Sequence, residues 1–268
     1  FFGGEPLMNF EVVKETVAYA RSLEKPHNKN FRFTITTNGL LLSDDKIDFI
    51  NREMSNVVLS IDGRREVNDR LRIRTNGGGS YDTIVPRFQE LVATRGKDKD
   101  YYARGTFTKY NLDFTEDVLH LVDLGFDQVS VEPVVSDPKL SYSIQEEDLP
   151  RVFEEYERLA NTIIARKKAG EGFNFFHFMI DLNQGPCAIK RLRGCSCGNE
   201  YVAVTPEGDI FPCHQFVGED DWKMGNVLDG SYDLERKNEF ALANVYSKER
   251  CKNCWAKFYC SGGCNANN

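Results

Sequence analysis

The chain has 268 residues, 41% of them hydrophobic, with 34 Lys and Arg against 41 Asp and Glu and a net charge of −7. That is enough for one large α/β domain, or a barrel with a small appendage. The acid excess argues against nucleic acid as a partner, and no apolar run reaches the ~18 residues a membrane span needs. No signal peptide is visible, and the chain opens on Phe1 and stops just after a cysteine cluster. Both ends are expected to be cuts through a longer protein.

From Phe10 to Leu23, apolar residues at Phe10, Val13, Val17 and Ala20 give a helical spacing. Phe31 to Thr37 alternates like a strand and breaks at Asn38-Gly39. Ser43 to Met54 reads as a helix with Ser43 as N-cap. A strand follows over 56–61 and stops at Asp62-Gly63. Helices are expected over 81–95 and 115–124, the latter closed by Gly125, and strands over 102–108 and 128–135. This alternation predicts βαβ units and a parallel sheet. Gln145 to Lys168 is a long helix stopped by glycines at 170 and 172. Residues 201–204 and 210–212 flank a Thr-Pro-Glu-Gly-Asp turn and read as a hairpin. The remainder is loop-rich, with no internal repeat. The domain boundary is expected near 186, giving domains 1–186 and 187–268.

All eight cysteines lie between Cys187 and Cys264. In a chain with a normal core and no secretion signal, that favours ligation over disulfides. Gly208 at the hairpin turn brings Cys197 and Cys213 together. Cys251, Cys254, Cys260 and Cys264 are close enough in sequence to converge on metal centres. Spacing alone fits a zinc ribbon as well as an iron–sulfur centre.

The strand ends carry the second signal. Gly3-Gly4-Glu5-Pro6 lets backbone approach a ligand closely and offers a carboxylate to a cation. The next ends carry Thr36, Asn38, Ser60 and Asp62, then Arg104 within a strand, then Glu132. In parallel α/β barrels such ends gather at the active site.

Gly3-Gly4-Glu5-Pro6 resembles the motif that holds the amino group of S-adenosylmethionine (SAM) in radical SAM enzymes. The cysteine tail resembles the SPASM domain, which binds auxiliary 4Fe–4S clusters in radical SAM peptide maturases. Within that group, residues 60–70, 102–107 and 211–218 resemble the thioether-forming maturases of six-cysteine (SCIFF) peptides. Anaerobic sulfatase maturases share the barrel and the tail, but carry Asp where this chain has His214. The SAM-cleaving Cys-x3-Cys-x2-Cys loop is expected before residue 1.

The resemblance implies a partial (βα)6 barrel followed by an irregular, cysteine-rich domain. It implies a 5′-deoxyadenosyl radical that takes hydrogen from an α-carbon of a Cys-rich precursor peptide, and a peptide sulfur that joins that carbon. SAM would lie across Gly3, Gly4, Glu5, Pro6, Thr36, Asn38, Ser60, Asp62, Arg104 and Glu132. Glu5 would meet its amino group, and Ser60 and Arg104 its carboxylate. Cys251, Cys254 and Cys260 would hold an outer auxiliary cluster, with a fourth ligand beyond residue 268. Cys197, Cys213 and Cys264 would hold an inner one, with Cys187 or Cys195 as the fourth. Cys187 is either a permanent ligand or one that makes way for a substrate cysteine. A flavodoxin or ferredoxin would supply electrons, and the setting would be cytoplasmic. Formylglycine formation, a carbon–carbon cross-link and a zinc module are the rival functions.

Three further groups have bland expectations. His27, His120 and His177 are expected in surface or core roles, with Glu146-Glu147 a solvated helix start. Phe173, Phe175, Phe176 and Phe178 are expected in a strand core. Trp222 and Trp255 are expected to pack against the cluster loops.

Overall fold

A computed structural model describes residues 1–179 and 191–267. Two compact units divide the chain, Phe1–Met179 and Ile180–Asn268.

In the first unit, five parallel strands lie side by side in chain order: β1 (Phe33–Thr37), β2 (Met54–Ser60), β3 (Asp100–Phe107), β4 (Gln128–Pro133) and β5 (Asn174–Phe175). Phe1 extends the sheet beyond β1. Its N–H donates to Thr34 O, and its own carbonyl accepts from Thr36 N at 3.0 Å, the pattern of a parallel ladder. Helices α1 (Phe10–His27), α2 (Asp44–Glu53), α3 (Arg65–Leu71), α4 (Tyr81–Ala93), α5 (Phe114–Asp123) and α6 (Leu149–Lys168) join the strands. This is the parallel α/β sheet that the alternation predicts.

Strand alternation sorts the sheet into two faces. Val57, Leu59, Tyr101, Ala103, Val129 and Val131 point to one face and are buried there with helix residues such as Ile50, Phe88 and Leu121. Each such aliphatic side chain contributes about 1.5–3 kcal/mol relative to exposure. The opposite face is polar along its C-terminal half. Ser60 stands beside Arg104, Arg104 beside Ser130, and Thr106 beside Glu132. A core on one side only leaves the other face open to a ligand.

Several local expectations are corrected. Ser43 is the N-cap of α2 as expected, but its hydroxyl donates to Asp45 Oδ1 at 2.5 Å instead of accepting a backbone cap bond. The long helix begins at Leu149, after a single 3-10 turn over Glu146–Asp148. Phe173 and Phe175 are buried, whereas Phe176 and Phe178 are exposed because the strand gives way to a 3-10 turn over Phe176–Phe178. Gly125 does end its helix, at φ 98, where a side chain would be strained.

The second unit contains the expected hairpin. β6 (Ala203–Val204) and β7 (Asp209–Phe211) pair antiparallel, with Gly208 at φ 86 in the turn. Two further short strands, β8 (Gly225–Asn226) and β9 (Ser231–Tyr232), complete a four-stranded sheet that the loop-rich sequence does not signal. Helices α7 (Leu234–Leu242) and α8 (Lys257–Cys260) follow. The small core comprises Cys197, Phe211, Cys213, Phe216 and Phe240, with Trp222 packed on it. Trp222 meets Phe216 at 4.8 Å between ring centroids. Trp255 is 89% exposed, against the expectation of packing.

Candidate cofactor-binding site

A cleft of about 350 Å³ opens at the C-terminal end of the sheet. Phe2, Gly3, Gly4, Glu5, Thr36, Thr37, Asn38, Ser60, Arg72, Arg104 and Thr106 line it. Seven of the residues expected at a SAM site are therefore brought together: Gly3, Gly4, Glu5, Thr36, Asn38, Ser60 and Arg104. Pro6 instead begins the 3-10 turn that Glu5 caps.

The backbone explains Glu5. Phe1 sits in the ladder, so Gly3-Gly4-Glu5 leaves directly from a strand end. Gly3 takes φ 147, which L side chains rarely adopt. Glu5 Oε1 then accepts from Leu7 N at 3.0 Å and Thr37 Oγ1 at 2.9 Å, and Oε2 accepts from Asn38 N at 2.7 Å. A carboxylate accepts about four hydrogen bonds, so one lone pair remains for a cation.

Arg104 is fixed along one edge. Its Nε and Nη2 donate to Glu132 Oε1 and Oε2 at 3.1 and 2.6 Å. Burial works against the charged form of Glu132, but this guanidinium prevails and holds the carboxyl below the usual glutamate range. Asp62 is only 4% exposed and lines a neighbouring cleft with Arg64, Arg70 and Tyr110. Arg72 donates to it from Nε at 2.7 Å and Nη2 at 2.8 Å, and Thr106 N donates to Oδ1 at 2.9 Å. Asp62 thus ties the end of β2 to β3 and fixes Arg72. Below it lies a buried carboxylate, Asp117, whose pKa burial raises even though Arg64 and Asn111 donate to it.

One charged lining residue, Arg72, escaped the sequence reading. Arg72 lies ten residues beyond Asp62 at the exit of a short helix, a reach no periodicity reveals. His177, expected in a surface or core role, is half-buried. Burial lowers its pKa, Glu132 and Arg104 act on it electrostatically, and its Nδ1 lies 3.2 Å from Tyr156 Oη.

In the second unit, burial pushes the Cys197 thiol up to about 12, with Cys195 and Cys213 adding charge repulsion. Cys213 is raised in the same way, and Cys264 and Cys195 act on it. Asn265 Nδ2 donates to Cys197 Sγ at 3.3 Å. Cys195, Cys197, Cys213 and Cys264 are therefore electrostatic neighbours. Cys251 and Cys254 are half-buried and Cys260 is exposed. Cys187 lies outside the described residues. Among the described residues, no three Cys, His, Asp or Glu side chains are gathered tightly enough for a single metal ion. A 4Fe–4S cluster makes a different demand, since each of its four irons takes its own thiolate. Two thiols in an apolar core, Cys197 and Cys213, with exposed Cys195 and Cys264 as electrostatic neighbours, fit that group. The strand-end cleft, with one acid and two arginines, fits a zwitterionic methionine.

Residues 1–98 match the radical SAM superfamily, and residues 195–255 match the SPASM iron–sulfur cluster-binding domain. The chain is a radical SAM enzyme with a SPASM domain. Its cofactors are SAM and 4Fe–4S clusters. It is 24% identical to the cysteine-type anaerobic sulfatase-maturating enzyme of Clostridium novyi (strain NT), across 100% of this chain and 72% of that enzyme. It is 23% identical to the radical SAM cyclopropyl synthase TigE of Paramaledivibacter caminithermalis, across 98% of this chain and 53% of that enzyme. The structure of native anSMEcpe with bound AdoMet superposes with a TM-score of 0.79 at 19% identity, covering 99% of this chain and 74% of that one. That likeness shows the α/β fold of the radical SAM enzyme. Among the described residues no helix is long and apolar enough to cross a membrane.

Proposed function

We propose that this radical SAM enzyme installs a thioether, from a Cys sulfur to an α-carbon, in a ribosomally made Cys-rich peptide. The observation that carries the cofactor half of this reading is the strand-end cleft. Glu5 offers an acceptor to the methionine ammonium of SAM. Ser60 and Arg104, side by side in the ladder, offer donors to the carboxylate. Bound SAM supplies a 5′-deoxyadenosyl radical when an iron–sulfur cluster reduces it. The chain's own residues orient SAM and bound the cleft, while the open polar face of the sheet is free to meet a peptide.

The buried Cys197 and Cys213, with the exposed Cys195 and Cys264 as their electrostatic neighbours, support an inner auxiliary cluster on these four thiols. Cys251, Cys254 and Cys260 belong to an outer one. Such clusters can carry off the electron that remains when the sulfur–carbon bond forms and the thiol proton leaves. A flavodoxin or ferredoxin in the cytoplasm would return electrons to the SAM-cleaving cluster.

His214 supports the thioether reading over sulfatase maturation, since the sulfatase pattern has Asp there. The sulfatase-maturating relatives support the alternative, oxidation of a protein Cys or Ser to formylglycine. Full-length enzyme, SAM and reductant should be incubated with a six-cysteine precursor peptide and, separately, a sulfatase peptide. A thioether removes two hydrogens and one alkylatable thiol. Formylglycine creates an aldehyde that a hydrazide captures. An aldehyde in the sulfatase peptide with no change in the six-cysteine peptide would overturn the thioether reading.

A further inference from the structure

We propose that Arg72 is a second carboxylate-binding residue of the SAM cleft, working beside Arg104. The proposal rests on reading this cleft as the SAM site, and it adds a residue that no sequence motif identified.

The two arginines are held alike. Each gives Nε and Nη2 to one carboxylate, Arg104 to Glu132 and Arg72 to Asp62. Among the described residues, Nη1 of each makes no hydrogen bond within the protein, and both side chains line the same cleft. A guanidinium fixed along one edge presents its remaining donors with little rotamer entropy left to lose. Arg72 is the better shielded of the two, its side chain 29% exposed against 46% for Arg104. The side chain of its partner Asp62 is 6% exposed and is itself fixed by Thr106 N. A charge-assisted hydrogen bond there is less screened by solvent.

Charge balance agrees. Arg72–Asp62 and Arg104–Glu132 are each formally neutral, while Glu5 is the remaining acid of the lining. The methionine end of SAM brings an ammonium for Glu5 and a carboxylate for the free guanidinium edges. Two pinned arginines lining one cleft with Ser60 would each offer a free guanidinium edge to the carboxylate, which fixes its position.

The test compares SAM with decarboxylated SAM, which lacks only the carboxylate. Binding to anaerobic, cluster-loaded full-length enzyme is measured by equilibrium dialysis for the wild type, Arg72→Lys and Arg72→Gln. Arg72→Lys keeps a cation for Asp62 and so preserves the fold, but one ammonium cannot serve both Asp62 and the ligand. Both variants should weaken SAM about tenfold to a hundredfold and leave decarboxylated SAM within twofold of wild type. Equal loss for both ligands would show that Arg72 acts through the fold, and would overturn the proposal. Unchanged SAM affinity in Arg72→Lys would overturn it as well. Wild-type enzyme that binds no SAM would instead sink the underlying assignment of the cleft, a result distinguishable because it precedes any substitution.

Discussion

Gly105 sits in β3 between Arg104 and Thr106, where the sheet leaves no room for a side chain. A Cβ at this position would lie 2.5 Å from Ile61 O and 2.8 Å from Asp62 Cα. Both are backbone atoms of the segment leaving β2, so no side chain can swing aside. Gly105→Ala must therefore push β3 from β2 beside Ser60, Asp62 and Arg104. Overpacking of this kind costs about 1–3 kcal/mol, and the stiffer unfolded chain returns about 0.4–1 kcal/mol. The net loss is about 1–2 kcal/mol, which in a unit of this size lowers Tm by about 2–8 °C. Thermal unfolding of the full-length enzyme followed by circular dichroism measures this. SAM affinity should fall with it, because the two strands carry Ser60 and Arg104, neighbours in the lining of the cleft. An unchanged or raised Tm would show that the strand ends are not packed this closely.

Asp62→Ala removes the carboxylate that holds Arg72 and Thr106 N, and with Arg72 partly solvated the cost should be about 2–3 kcal/mol, read by urea denaturation. A loss under about 0.5 kcal/mol would mark the pair as ornamental. Glu132 should contribute stability above the ordinary glutamate pKa of 4.5 that is lost as pH falls through its depressed value. Stability between pH 5 and 3 should consequently drop less steeply in Glu132→Gln, about as expected for losing one charge-assisted pair; parallel curves would refute the assignment. Cys213→Ala should lower bound iron by about four per protein while leaving the SAM-cleaving cluster's signal, and Cys195→Ala should do the same. Iron retained in Cys195→Ala and lost in Cys187→Ala would hand the fourth position to Cys187.

β1, β2 and β4 were legible because each is a short run stopped by Asn-Gly, Asp-Gly or Pro, and β3 by its alternation alone; the stops of β1 and β2 place polar residues at the site. α3 was not legible: Arg65–Leu71 has only Val67 and Leu71 as apolar residues, too few for a helical stripe. Its exit carries Arg72, whose partner Asp62 is distant in sequence and adjacent in space. Asp62, expected as open polar lining, is buried because β3 passes close at Gly105. His177 has no ligand-spaced partner in sequence, and only the pairing of β5 with β4 brings it towards Glu132. In the second unit the hairpin was readable from its turn residues. Which thiols become neighbours was not, because Cys195 and Cys264 approach Cys213 through loops without periodicity. Trp255 shows the converse limit, a large apolar side chain that composition would bury and the fold leaves out.

We propose that the 5′-deoxyadenosyl radical from SAM at the strand ends takes a hydrogen atom from the peptide. Full-length enzyme is incubated anaerobically with SAM, reductant and a six-cysteine precursor peptide deuterated at the α-carbons of its acceptor residues. The expected product is 5′-deoxyadenosine carrying one deuterium, formed in step with a peptide that has lost that deuterium. Release of 5′-deoxyadenosine without deuterium, beside a modified peptide that retains all of it, would contradict the account.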